Sequence, residues 1–251
     1  AFVTATYALH DLRDTSAAVE RVRRLLDADC DPVAVADALG GDELLAVDLR
    51  AHPGLSVPGH VDGNEVAVRA VLGQQVTVAA ARTVAQRLVA EHGRPISSAE
   101  TGMGVVGRLF PDMVTLAALD PETLPMPRAR GRALVRLCAA LADGQVDLSR
   151  GVDRGEVRRQ LLALPGIGPW TADYIGMRAL GHPDIFLPTD VGIRHALSHL
   201  LAAFGLGWLS IVVTTQWLGL PFGGVLQMLA SAVITFAGGG NRAFYQYGLM
   251  S

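Results

Sequence analysis

Leu164-Pro165-Gly166-Ile167-Gly168-Pro169-Trp170-Thr171 joins two segments with helical periodicity, Arg154 to Ala163 before it and Trp170 to Leu180 after it. Its two glycines flank one apolar residue. Gly166 and Gly168 carry no Cβ and tolerate φ > 0, so a ligand can come close to the backbone. The amides that open the second helix have no partner inside it, and such a helix start attracts an anion, most simply a phosphate. Ile167 is expected to plug down between the two helices. On its own a G-x-G is more often an ordinary helix-to-helix turn.

The segment downstream shifts that weighting. Phe186-Leu187-Pro188-Thr189-Asp190 places one carboxylate where Pro188 interrupts the chain and a new helical pattern, Val191 to Leu197, begins. An Asp at such a place also serves as a helix N-cap. L-P-G-I-G reads as a helix-hairpin-helix, which grips a nucleic-acid backbone without reading its sequence. Taken together, L-P-G-I-G-P-W-T-A-D-Y and F-L-P-T-D resemble the helix-hairpin-helix (HhH-GPD) DNA glycosylases, and within them the 3-methyladenine DNA glycosylase II (AlkA) type. A second segment, Leu72-Gly73-Gln74-Gln75-Val76-Thr77, carries the same resemblance. There a break between helices pushes a side chain into the duplex, and the matching position is Gln75. The other reading of Gln74 and Gln75 is that they satisfy backbone groups at a helix end.

The resemblance implies a base pocket containing Trp170 and Tyr174, DNA contacts from Gly166, Gly168, Thr171, Gln74 and Gln75, and a catalytic Asp190. It also implies a monovalent cation at the hairpin on the backbone carbonyls of Leu162, Leu164 and Ile167; no cofactor is required. Trp170 and Tyr174 are four apart and share a helix face, which is equally the pattern of core aromatics. An alkylated purine such as 3-methyladenine or 7-methylguanine is cationic, and ring faces attract it. Asp190 is suited to the positive charge that builds on the sugar as an N-glycosidic bond opens. Asp173 and Asp184 are nearby alternatives.

Composition narrows the chemistry. All 21 basic residues are Arg. Relatives that also cut the strand attack the sugar with a lysine amine, so the expectation is a monofunctional enzyme that leaves an abasic site. Two cysteines, Cys30 and Cys138, cannot hold the four-cysteine iron–sulfur cluster of some relatives and read as buried thiols. The net charge of −3 offers no general basic field, but a grip made of backbone amides needs little. No G-x-G-x-x-G succeeds a strand, which argues against a nucleotide cofactor. The expected partner is double-stranded DNA with alkylated bases, the expected state a monomer in the cytoplasm.

The fold class expected is all-α, a helix-hairpin-helix glycosylase bundle. Residues 15–197 form the glycosylase domain. Residues 1–14 read as the remnant of a β-rich N-terminal domain, with Phe2 to Leu12 as its last strand. The start at Ala-Phe-Val suggests a fragment, compatible with a regulatory module fused ahead of it. Helices are expected from the Asp14-Thr15-Ser16 cap to Leu26, Asp31-Pro32 to Leu39, Asp42 to Ala51, Asp62 into Gly73, Thr77 to His92, Met113 to Ala118 and Pro127 to Ala142. After Arg194 the only formal charge is Arg242, and Leu200 to Leu218 is nearly apolar. Residues 198–251 therefore read as a buried hairpin, a membrane hairpin or foreign sequence joined near His195, the last favoured by the abrupt change.

Overall fold

The computed structural model describes residues 3–9, 11–96 and 107–203. Ten α-helices occur among them: α1 (Thr15–Leu25), α2 (Pro32–Leu39), α3 (Glu43–Ala51), α4 (Gly63–Leu72), α5 (Val78–His92), α6 (Met113–Ala117), α7 (Arg128–Ala142), α8 (Arg154–Ala163), α9 (Pro169–Ala179) and α10 (Val191–Ala203). Several begin one residue after a capping side chain. Asp31, Asp62, Thr77, Asp112 and Asp153 each accept from first-turn amides, as Asp62 does from Asn64 N (2.8 Å) and Glu65 N (3.2 Å). Each cap is worth about 1 kcal/mol.

The all-α class expected from the sequence is what the chain adopts; the strand is not. Among the described residues there is no strand, and β pairing is limited to an isolated bridge between Pro95 and Arg108. Residues 3–9 alternate as a strand would, but no neighbouring segment among the described residues supplies a ladder. A period-2 pattern without a partner leaves its backbone groups to water. The segment then closes into a 3₁₀ turn at Leu12–Asp14, capped by Asp11 through Arg13 N at 2.8 Å. The apolar tail set apart in the sequence lies, from 204 onward, outside the described residues. Helix α10 runs unbroken to Ala203, past the change of composition. No helix of the described residues is long and apolar enough to cross a membrane.

The chain forms two compact units. The first comprises 1–22 and 60–180, the second 23–59 and 181–251. In the first, α4 is the central element: Val66, Ala67, Val68, Ala70, Val71 and Leu72 are all buried. Helices α5, α7 and α9 pack on it, through Leu88, Leu134, Leu137, Cys138, Ala172 and Ile175. Burial pushes the Cys138 thiol up to about 12, so it is an inert packing group. Cys30, in the second unit, is half-buried and also raised, by burial and then by Asp27 and Asp31. The second unit holds α2, α3 and α10, and its segment 185–197 buries Ile185, Leu187, Ile193 and Ala196.

A small polar layer lies at the start of α4 in the first unit. His60 is buried, and its Nδ1 accepts from Asp62 N at 3.3 Å. Glu65 pairs with Arg69 one turn on (2.6 Å), and Arg69 lies over the Phe110 ring (5.5 Å). Burial, then the Arg178 and Arg69 charges, lowers the His60 pKa to about 4, against the opposing pull of Asp62. Between pH 4 and 6.5 the unfolded chain therefore binds more protons than the folded one. Stability is whole above pH 6.5 and falls by about 3 kcal/mol as the pH drops to 4. Urea midpoints measured across this range should fall in the wild-type chain and stay flatter in His60→Gln.

Candidate functional site

The hairpin is built on a sharp exit from α8. Leu164 is extended, and Leu164 N donates to Leu161 O (3.1 Å) while Ile167 N donates to Leu164 O (3.0 Å). Gly166 has φ +95°, a conformation that L side chains rarely adopt. A Cβ there would stand 2.5 Å from the Cβ of Ala133 in α7, so the loop is seated directly on that helix. Ile167 is buried in the main core between the flanking helices. Gly168 differs from its partner: its φ is −92° and nothing lies within 4 Å of where its Cβ would be. Its contribution is an open face, not a special dihedral. Helix α9 starts there with no side-chain cap and with Pro169, which has no N–H to satisfy, at its first position.

The break after α4 meets the hairpin. Gln74 Nε2 donates to Gly166 O (3.1 Å) and to Thr171 Oγ1 (3.0 Å). Thr171 is 3% exposed, so its hydroxyl faces the protein interior. Gln75 is exposed, and its backbone is left-handed at φ +54°. Such a residue costs about 1–3 kcal/mol when it is not glycine, which the structure sustains at the tip of the break. Val76 beside it is 39% exposed.

Along α9, Trp170 and Tyr174 stack with centroids 5.2 Å apart and planes 17° apart. Arg178, one turn further, sits over the Tyr174 ring at 6.0 Å. Both aromatics are half-buried, while Arg178 is buried. With the two rings already in contact, a third flat group has no room between them and must use an outer face or edge. Asp173 takes a two-point ion pair from Arg158 of α8 (2.6 and 3.3 Å), which raises the Arg158 pKa. That pair clasps the hairpin and occupies the carboxylate that stood as an alternative to Asp190.

Asp190 belongs to the second unit. It caps α10, its Oδ1 accepting from Ile193 N (3.2 Å) and its own N–H donating to Leu187 O (3.0 Å). It is partly exposed, between the buried Leu187 and Ile193. Asp184, the other alternative, lies in an exposed turn where its N–H donates to His182 Nδ1 (3.1 Å). Of the carbonyls assigned to a cation by the resemblance, that of Leu164 accepts from Ile167 N (3.0 Å). Leu162 is in the last turn of α8 and Leu164 just past it.

Sequence reading missed Arg178, His60 and the Arg158–Asp173 pair. The signal for Arg178 was present, since it stands one turn beyond Tyr174 and two beyond Trp170. Nothing in the sequence pairs Arg158 with Asp173 across the hairpin.

The fold recurs in solved DNA glycosylases. The 3-methyladenine DNA-glycosylase from Archaeoglobus fulgidus aligns with a TM-score of 0.70 at 19% identity, covering 92% of this chain and 78% of that one. MBOgg1 in complex with a low-affinity DNA ligand aligns with a TM-score of 0.69 at 21% identity, over 91% and 77% of the two chains. These place the chain in the helix-hairpin-helix glycosylase fold. Residues 1–62 match the AlkA N-terminal domain family. A probable bifunctional transcriptional activator/DNA repair enzyme AlkA from Mycobacterium tuberculosis is 48% identical over 192 residues, 76% of this chain and 38% of the relative. DNA-3-methyladenine glycosylase 2 from Escherichia coli is 37% identical over 177 residues, 69% of this chain and 59% of the relative. The chain thus spans about two-fifths to three-fifths of these curated relatives. Over the matched residues it is similar to the helix-hairpin-helix DNA glycosylases of the AlkA type.

The two hairpin glycines should respond differently to the same change. Gly166→Ala forces a left-handed alanine into Ala133 and should cost about 3 kcal/mol in chemical denaturation. Gly168→Ala should cost less than about 1 kcal/mol while weakening affinity for duplex DNA, since it narrows the open face.

Proposed function

We propose that this chain hydrolyses the N-glycosidic bond of alkylated purines in double-stranded DNA and leaves an abasic site. The observation that carries the reading is the order of parts along α9. A helix start open to a phosphate leads within one turn to a stacked Trp170–Tyr174 pair. A base reached by an enzyme of this kind leaves the duplex stack, and damaged bases leave most cheaply. An electron-rich aromatic face then favours the cationic lesion over a neutral base. Trp170 and Tyr174 are the rings assigned to that contact.

In the reaction the bond from C1′ to the base nitrogen breaks, and its electron pair stays on the purine, whose positive charge it cancels. No strong general acid is needed for such a leaving group. Water adds to C1′ and loses a proton, giving the abasic sugar and free base. Asp190 is the carboxylate assigned to the developing charge on the sugar and to that water. With no Lys in the chain, a Schiff base to the sugar has no lysine amine to form on, so the strand stays uncut. The hairpin carbonyls of Leu162, Leu164 and Ile167 would hold a monovalent cation, which adds positive charge facing the phosphate. The enzyme acts as a monomer in the cytoplasm and takes no nucleotide cofactor.

A second reading draws on the capping bond from Asp190 to Ile193 N: a DNA-binding module in which this carboxylate only starts a helix. One assay separates the two. The wild-type chain incubated with duplex DNA bearing 7-methylguanine should release the free base, and Asp190→Asn should lower the rate at least about a hundredfold. Release that survives the substitution removes Asp190 from the chemistry. Tight binding with no release in the wild type favours the module.

A further inference from the structure

We propose that Gln74 is a positioning residue that ties the wedge at Gln75 to the phosphate grip, so that the two engage DNA as one rigid device. This deepens the glycosylase reading and rests on it for the roles of Gln75 and the hairpin. The observation is a single amide nitrogen with two acceptors at opposite ends of the turn. Gly166 O lies on the loop and Thr171 Oγ1 on the first turn of α9, at 3.1 and 3.0 Å. These partners are 92 and 97 residues away in the chain, so the link is made by the fold and by no local geometry. The next residue, Gln75, is the exposed one whose backbone is left-handed.

The chemistry of the link is specific. A carbonyl oxygen only accepts, so the strut needs an N–H donor of this length. Thr171, which accepts from Gln74 and is buried, keeps its side chain on the protein side of the helix start. Its backbone amide remains part of the grip. A phosphate held at α9 therefore stands at a fixed distance from the Gln75 tip, and closing the grip carries the wedge toward the base stack. Without the strut the grip still forms, but the tip is no longer held in register. The loss should fall more heavily on insertion than on general affinity.

The full chain is tested with two duplexes, one undamaged and one with an abasic-site analogue opposite 2-aminopurine, whose fluorescence rises when a wedge unstacks it. Gln74→Glu keeps the shape but cannot donate to Gly166 O as a carboxylate; Gln74→Met keeps the length and removes both bonds without adding charge. Both should lower the insertion equilibrium about tenfold and lower affinity for undamaged duplex by a clearly smaller factor, least in Gln74→Met, which adds no charge. In a Gln75→Ala background neither should lower insertion further. Equal losses on both duplexes, insertion unchanged in both variants, or losses that add to that of Gln75→Ala would each overturn the strut, as would a wild-type chain that gives no insertion signal. The readout needs no bond cleavage. Insertion that depends on Gln74 in a chain that releases no 7-methylguanine would sink the glycosylase reading alone.

Discussion

Burial of α4 on nearly every side is the constraint on which the first unit depends. A helix whose Val66, Val68, Val71 and Leu72 are all within the core gains about 1.5–3 kcal/mol from each of these side chains. It cannot shift without disturbing α5, α7 and α9 together. Both of its ends are thereby fixed in space. One carries His60, Asp62 and Glu65, and the other ends at Gly73 and releases the chain as Gln74 and Gln75. An exposed left-handed Gln75 is sustained because the residue before it is bonded to the hairpin and the helix before that does not move.

Charge is used sparingly around the hairpin. On the reading proposed above, attraction for a phosphate would rest on amides at the start of α9, while Arg158 and Arg178 beside it are engaged within the protein. Arg158 closes on Asp173 across α8 and α9, and Arg178 lies over Tyr174. The aromatic pair is thus held from one turn behind by a cation, and the hairpin from its flank by an ion pair. The open space at the turn lies at Gly168, where nothing stands within 4 Å of the position a Cβ would take.

The sequence was most legible where a capping side chain stood at the right place. Asp31, Asp62 and Thr77 mark helix starts that the structure reproduces, because a cap is a local bond between neighbours in the chain. The hairpin was legible for the same reason. Contacts across long separations were not: Gln74 with Gly166 and Thr171, Arg158 with Asp173, and Gly166 with Ala133 have no local signature. The Phe2 to Leu12 alternation misled for the converse reason, since a strand is defined by a partner that the described residues lack. Trp170 and Tyr174 were read as neighbours from their spacing, but only the folded helix shows them stacked, with no slot between them.

The seat of Gly166 on Ala133 has a consequence for how this chain can diverge. The loop and α7 touch through two positions that have almost no volume left to add, one because of its backbone and one because of its neighbour. Residue 133 is accordingly held to the size of alanine by a glycine in a distant loop, although it has no chemistry of its own. Drift in the middle of α7 is free on its exposed arginine face and closed at this point. Position 166 is closed by its backbone whatever stands opposite, and position 133 by the loop seated on it, so a helix remote in sequence keeps a record of the hairpin's shape.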